Sequence, residues 1–134
     1  MSGAGLANSG GIGERLTALS GRVEADPVLL RRGRYLNATC QFDIGDDTCL
    51  LRIVDGRVHE VRTGPFATPS ADFAVAGDAA VWRRFLAAEP PPGDHDLLAF
   101  VKRKELRLTG DLHLLMSHLL YFKSLFAHLR EPAR

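Results

Sequence analysis

Polar and apolar positions along this chain shift between a helical and a strand period, and each shift marks a predicted element. From Ile12 to Val23, the residues Leu16, Leu19 and Val23 recur at helical spacing, with Glu14, Arg15 and Arg22 outside them. That spacing predicts an amphipathic helix. Asp26-Pro27 supplies a cap and a first-turn proline for a second, short helical segment, which RRGRY (Arg31 to Tyr35) ends. Asn37 to Ile44 and Thr48 to Val54 then alternate, placing Cys40, Phe42, Ile44, Cys49, Leu51 and Ile53 on one face. If Gly45 to Thr48 is the loop, Ile44 faces Cys49, Phe42 faces Leu51 and Cys40 faces Ile53. Asp55-Gly56 predicts a tight hairpin into Arg57 to Arg62, because both residues accept positive φ. Glu60 falls on the face shared with Val58, an inward charge of the kind that protects an edge strand, so this strand is expected at the sheet edge.

Gly64-Pro65 ends the meander, and Pro69-Ser70 leads into a fourth strand, Ala71 to Gly77, with Phe73 and Val75 inward. Asp78 is the expected cap of a helix through Ala88, with Val81, Trp82, Phe85 and Leu86 as its apolar stripe. The prolines of EPPPGD (Glu89 to Asp94) forbid helix. Asp94 or Asp96 caps a short helix holding Leu97, Leu98, Phe100 and Val101. A fifth strand carrying Leu106 and Leu108 stops at Gly110.

Asp111 then caps a predicted helix of about five turns. Leu112, Leu115, Leu119, Phe122, Phe126 and Leu129 form one seam along it. Leu114, Met116, Leu120, Tyr121 and Leu125 add apolar surface outside the seam, leaving His113, Ser117, Ser124, His128 and Lys123 as a polar strip. A helix apolar round most of its circumference has more to cover than one core face. A lipid, a partner subunit or a membrane are the candidate covers. Helix, three-strand meander, strand, two helices, strand and helix together read as α+β.

Composition narrows the function. The 134 residues make one domain over 12–130 behind a glycine-rich tail at 1–11, expected to be flexible. With 46% hydrophobic and 25% charged residues the chain reads as an ordinary globular protein, and a net charge of +1 argues against a nucleic-acid partner. The cations are mostly arginine, a hint of a GC-rich bacterial genome. No apolar run reaches the ~20 residues of a membrane span, and the N-terminal residues lack the basic start and apolar core of a signal peptide. A cytoplasmic protein is the plain expectation. Cys40 and Cys49 share a sheet face but lie four residues apart in the expected register, about 13 Å, which predicts two free thiols.

Candidate chemistry is thin. His113, His118 and His128 are separated by five and ten residues, the wrong spacing for a metal pair, and read as solvated. Asp94, His95 and Asp96 are explained by capping. No nucleophile–base spacing and no cofactor fingerprint appears, so neither an enzyme nor a cofactor is expected. Three basic runs (Arg31, Arg32 and Arg34; Arg83-Arg84; Lys102 to Lys104) are candidates for transient contact with an anionic membrane or a lipid headgroup.

In order and spacing, the chain resembles the sterol carrier protein type-2 domain family, from about Ile12 to Leu129. DFAVAG (Asp72 to Gly77) before a capped helix, then LAFVKRKELRLTGD (Leu98 to Asp111) and a leucine-rich terminal helix, carry the resemblance. The family usually shows Gly-Lys where this chain has Lys104-Glu105. The resemblance implies a five-stranded, mostly antiparallel sheet with helices over one face and a lipid pocket between helices and sheet. It implies binding and transport of a fatty acyl chain, sterol-like or isoprenoid molecule, without chemistry. The alternative is an accessory or scaffold protein presenting lipid intermediates to biosynthetic enzymes, such as those of isoprenoid quinone synthesis. Each buried CH₂ contributes roughly 0.8 kcal/mol, so a twelve-carbon chain gains on the order of 10 kcal/mol before the cost of its lost freedom. The expected pocket wall is Phe85, Leu86, Leu98, Val101, Leu106, Leu108, Leu115, Met116, Leu119 and Phe122. A homodimer through the C-terminal helix is the competing account of the same apolar surface.

Overall fold

The computed structural model describes residues 12–64, 70–93 and 96–130. The tail at 1–11 and Pro65, Pro69, Asp94 and His95 lie outside them. The elements are α1 (Ile12–Glu24), α2 (Pro27–Arg32), β1 (Ala38–Ile44), β2 (Asp47–Val54), β3 (Arg57–Thr63), β4 (Phe73–Gly77), α3 (Ala79–Phe85), α4 (Leu97–Lys102), β5 (Arg107–Gly110), α5 (Leu112–Ser117) and α6 (Leu119–Leu129). The strands form one sheet in the order β3-β2-β1-β4-β5, antiparallel except where β1 runs parallel to β4. Alternation buries Cys40, Phe42, Ile44, Leu51, Ile53, Phe73 and Val75 beneath the helices and turns Arg52, Arg62, Arg107 and Thr109 to water. The architecture is the expected α+β.

The β1–β2 register differs from the expected one by two residues. Cys40 pairs with Leu51, Phe42 with Cys49 and Ile44 with Asp47. The strands extend into GDDT, so the turn is only Gly45-Asp46, with Gly45 at φ 63°. Sliding by two preserves which face each side chain occupies, so the core set survives the error. It also brings the cysteines to diagonal positions, two residues apart along the sheet, and both thiols are free and buried.

At β3 the expectation of an inward Glu60 is wrong. A bulge at His59 shifts the pairing from Ile53–Val58 to Arg52–Glu60, so Glu60 turns outward beside Arg52 while Val58 and Val61 both face in. The strand does lie at the sheet edge.

The helices follow their caps. Asp26 Oδ1 accepts from Leu29 N, Asp96 Oδ1 from Leu98 N and Asp111 Oδ1 from Leu114 N, each at 3.0–3.1 Å. Asp78 precedes α3 without a side-chain capping bond, and α3 ends at Phe85 rather than Ala88.

The expected five-turn helix is two helices. At His118, φ −119° and ψ 32° leave the helical range, and its N–H closes on Leu115 O at 3.2 Å. The ring Nδ1 lies 3.1 Å from Leu114 O, the carbonyl its own backbone N–H would have bonded in an unbroken helix. A carbonyl only accepts, so Nδ1 carries the hydrogen there. The break resets the phase: Tyr121, Phe122, Leu125, Phe126 and Leu129 are buried in α6, while Leu112 and Leu119 leave the predicted seam.

The C-terminal carbonyls of α6 are held by α1. Arg15, expected on the outer face, is only 8% exposed and donates from Nε to Leu129 O at 2.6 Å. Arg22 donates to His128 O at 2.7 Å. Two guanidinium groups thereby meet the negative end of the helix dipole. At the other side, Tyr121 donates its hydroxyl to Gly56 O at 2.7 Å across a contact between two glycines. A Cβ on Gly56 would stand 2.5 Å from Gly33 O, and one on Gly33 would stand 2.4 Å from the Tyr121 ring.

Tyr121→Phe leaves the Gly56 carbonyl buried without its partner and is expected to cost about 1–3 kcal/mol. Gly56→Ala adds the clash and the strain of φ 78° and is expected to cost more. Urea unfolding checks both, with a lower midpoint and an unchanged slope as the expected result.

Candidate functional site

The expected pocket residues fall into two groups. Phe85, Leu86, Leu106, Leu115 and Phe122 are fully buried in the core. Leu98, Val101, Leu108 and Leu119 are half-buried, and Met116 is exposed. Val101 from α4 and Leu108 from β5 pack against the core from outside, joined by Leu114 of α5, which the expected list lacked.

Between helices and sheet the core is filled with interlocking rings. Phe85 centres lie 5.3 Å from Phe100 and 5.2 Å from Phe126, and Phe42 lies 5.6 Å from both Phe126 and Trp82. A second set joins Phe73 to Phe122 at 5.1 Å and Phe122 to Tyr121 at 5.3 Å. These tilted and edge-to-face pairs suit the ring quadrupoles and bind α3, α4 and α6 to β1 and β4. Trp82 satisfies its indole N–H on Asp43 O at 2.9 Å.

Outside that core, α5 and the start of α6 carry exposed apolar side chains, as do Val28 and Tyr35 elsewhere. Leu112, Met116 and Leu120, four residues apart in turn, are 43%, 51% and 62% exposed. Only Leu115 of α5 is buried. The helix-wide apolar excess in the sequence points here, although the helical period puts Leu112 in the buried seam and Leu120 is not in the expected wall. The outer face of the sheet has a contrasting cleft of about 250 Å³, lined by Asn37, Thr39, Arg52 and Asp72 among others. Ala38, Ile53 and Val54 share its lining, so it is mixed in character.

The β5 margin has its own electrostatic brace. Glu105 accepts from Arg84 and, at 2.6 Å, from Arg103 Nε. Both guanidinium groups lie over the Phe100 ring, Arg103 at 4.5 Å and Arg84 at 5.5 Å. The Arg84 hydrogen bond, then that from Arg103, holds the Glu105 carboxyl below its usual 4.5. Lys104 occupies a left-handed conformation at φ 64°. Glycine would adopt that backbone without strain, so the Lys104-Glu105 pair puts a strained residue in the turn and a clamped anion after it. The basic runs therefore separate. Arg83-Arg84 and Lys102 to Lys104 meet at Glu105, while Arg31 to Arg34 is tied to α6 by Arg32, which donates to Ser124 Oγ at 3.0 Å.

The histidines expected to be merely solvated are mostly engaged. His128 Nε2 lies 2.7 Å from Asp26 Oδ2, and this bond is the main cause of a lowered Asp26 pKa. His118 sits at the helix break. His113 Nε2 lies 3.3 Å from Ser117 Oγ, one turn away, and makes no second hydrogen bond among the described residues. Burial pushes the Cys49 thiol up to about 12 and the Cys40 thiol up as well, so neither is a ready nucleophile. Among the described residues no group of three acidic, His or Cys side chains is placed to hold a metal, and no helix is long and apolar enough to cross a membrane.

This fold is that of sterol carrier protein 2. One crystal structure of sterol carrier protein 2 superposes with a TM-score of 0.72 at 17% identity, covering 90% of this chain and 96% of the other. A ubiquinone synthesis protein described as UbiJ-SCP2 gives 0.59 at 17% identity over 89% and 95%. Palmitated SCP2L2 from Aedes aegypti gives 0.51 at 18% identity over 87% and 95%. No family profile and no curated protein matches the chain by sequence.

Two outcomes test the margin. Lys104→Gly is expected to raise stability by about 1 kcal/mol, read by urea unfolding, because it relieves the left-handed strain. Glu105 has a folded pKa below its unfolded one, so its contribution is present above pH 4.5 and fades as pH falls below it. Glu105→Gln should therefore be less stable than the unsubstituted protein at neutral pH, and the difference should close in acid.

Proposed function

We propose that this chain binds a hydrophobic molecule of the fatty acyl, sterol or isoprenoid kind and carries or presents it without chemical change. The observation that carries the reading is apolar surface left uncovered on a sterol carrier fold: Leu112, Met116 and Leu120 are open to water, and Leu98, Val101, Leu108 and Leu119 are only half-buried. A soluble protein gains nothing by exposing such a ridge unless something apolar covers it. The ligand is expected to lie along α5, with Leu98, Val101, Leu108, Met116 and Leu119 as first contacts. Phe85, Leu86, Leu106, Leu115 and Phe122 form the floor, and a longer ligand reaches them by lifting α5. That helix is short, bounded by the break at His118 and by Gly110 at φ 93°, and holds the core through Leu115. The palmitated insect protein of this fold supports an acyl ligand.

A second reading has the chain present its lipid to a biosynthetic enzyme, and the likeness to a ubiquinone synthesis protein favours it. Burial of both thiols and the hydrogen bonds of His118 and His128 favour a non-catalytic role in either case.

Native mass spectrometry of the purified protein, followed by extraction and identification of the released lipid, is expected to find near one lipid per chain. Met116→Asp with Leu119→Asp should lower that occupancy at least tenfold with little change in melting. A quinone precursor would select the second reading, and an empty chain with a closed, tight dimer would remove the first.

A further inference from the structure

We infer that Met116 is an oxidation site through which peroxide controls the cargo surface, its sulfoxide making that surface polar and releasing the hydrophobic ligand. The release rests on the carrier reading, whereas the modification itself does not. Met116 is 51% exposed, and Leu112, one turn earlier on the same side of α5, is 43% exposed. Leu120, 62% exposed, stands at the start of α6 just beyond the break at His118. The chain has two methionines, and Met1 lies outside the described residues. Met116 is therefore the one thioether among the described residues, and it lies within their most exposed aliphatic stretch.

A thioether needs no deprotonation to react with hydrogen peroxide. Its sulfur lone pair attacks one peroxide oxygen, so an S–O bond forms and the O–O bond breaks. The departing hydroxide takes the proton from the transferred oxygen and leaves as water. Sulfur gives up two electrons and peroxide gains them. Cysteine reacts as the thiolate, and Cys40 and Cys49 are fully buried, with burial holding the proton on each. Exposure thus directs peroxide to Met116 and away from the thiols. The product is a polar side chain with a strong acceptor oxygen. Hydrocarbon laid over that oxygen strips its water without supplying a hydrogen bond. In the empty chain the oxygen stays hydrated, and Leu115, not Met116, holds α5 to the core. Only the ligand-covered state is penalised, so release needs no unfolding. Methionine sulfoxide reductases return the thioether at the expense of two thiols, with loss of water, which makes the change reversible.

The test is hydrogen peroxide treatment of the full chain at neutral pH, followed by peptide mapping and, once the peroxide is removed, titration with dansyl-undecanoic acid. One oxygen is expected on Met116 and none on Cys40 or Cys49, with melting unchanged. The oxidised chain should bind the probe about tenfold more weakly. Methionine sulfoxide reductases with a dithiol should restore binding. Saturation with palmitate beforehand should slow oxidation at Met116, because the ligand covers the sulfur. Met116→Leu, whatever its own affinity, should bind equally before and after peroxide, and Met116→Gln should bind about as weakly as the oxidised chain. Oxidation of the cysteines ahead of Met116, or a peroxide-dependent loss that persists in Met116→Leu, would overturn the inference. Equal binding by the oxidised and untreated chains would remove the release and leave the carrier reading standing. An untreated chain that binds no probe would overturn the carrier reading and the release together.

Discussion

Helix α6 is the element against which the rest of the molecule is set. Its buried side meets the sheet through Phe122 on Phe73 and Phe126 on Phe42, and meets α3 through Phe126 on Phe85. Its C-terminal carbonyls are taken by Arg15 and Arg22 of α1, and Tyr121 reaches the β2–β3 turn at Gly56. Ser124 and His128 hold α2 through Arg32 and Asp26. One helix thereby joins apolar burial, which fixes no direction, to hydrogen bonds that do. The directional contacts decide how α1 and α2 sit on the sheet.

The break at His118 is the cost and the use of that arrangement. The break separates Leu112 and Met116 from the face on which α6 buries Tyr121, Phe122, Leu125, Phe126 and Leu129. Closing the first helix on Leu115 lets α6 turn its own apolar side fully into the core. On α5 only Leu115 is buried in the core, with Leu114 packed against it. Leu112 and Met116 of α5 and Leu120 at the start of α6 are therefore left exposed, and the proposed ligand is set against them.

Charges divide the surface into regions of different character. At the β5 margin, Arg84 and Arg103 are spent on Glu105 and on the face of Phe100, which stiffens the corner leading into β5. On α2 and the turn after it, by contrast, Asp26 is taken by His128 and Glu24 by Arg57, and Arg31 and Arg34 stay exposed. Basic runs in sequence thus become a structural clamp in one place and an exposed basic surface in another.

How much of this was legible beforehand depends on whether a feature is local. Alternation alone separated inward Phe42, Leu51 and Phe73 from outward Arg52 and Arg62, because the strand period is a property of the backbone. Capping aspartates at 26, 96 and 111 were readable for the same reason, as was the positive-φ turn at Asp55-Gly56. The two-residue register slip, the bulge that turned Glu60 outward and the buried position of Arg15 were not readable. Each depends on which distant atoms compete for the same hydrogen bonds. Half of the expected pocket wall lies closed in the core and half opens at the margin, a division no spacing encodes. The sequence by itself determined the elements and the faces they bury, since those follow from local sterics and solvent. Only tertiary packing decided where the apolar surplus was left exposed, because that depends on how α6 is held by α1, α2 and the sheet at once.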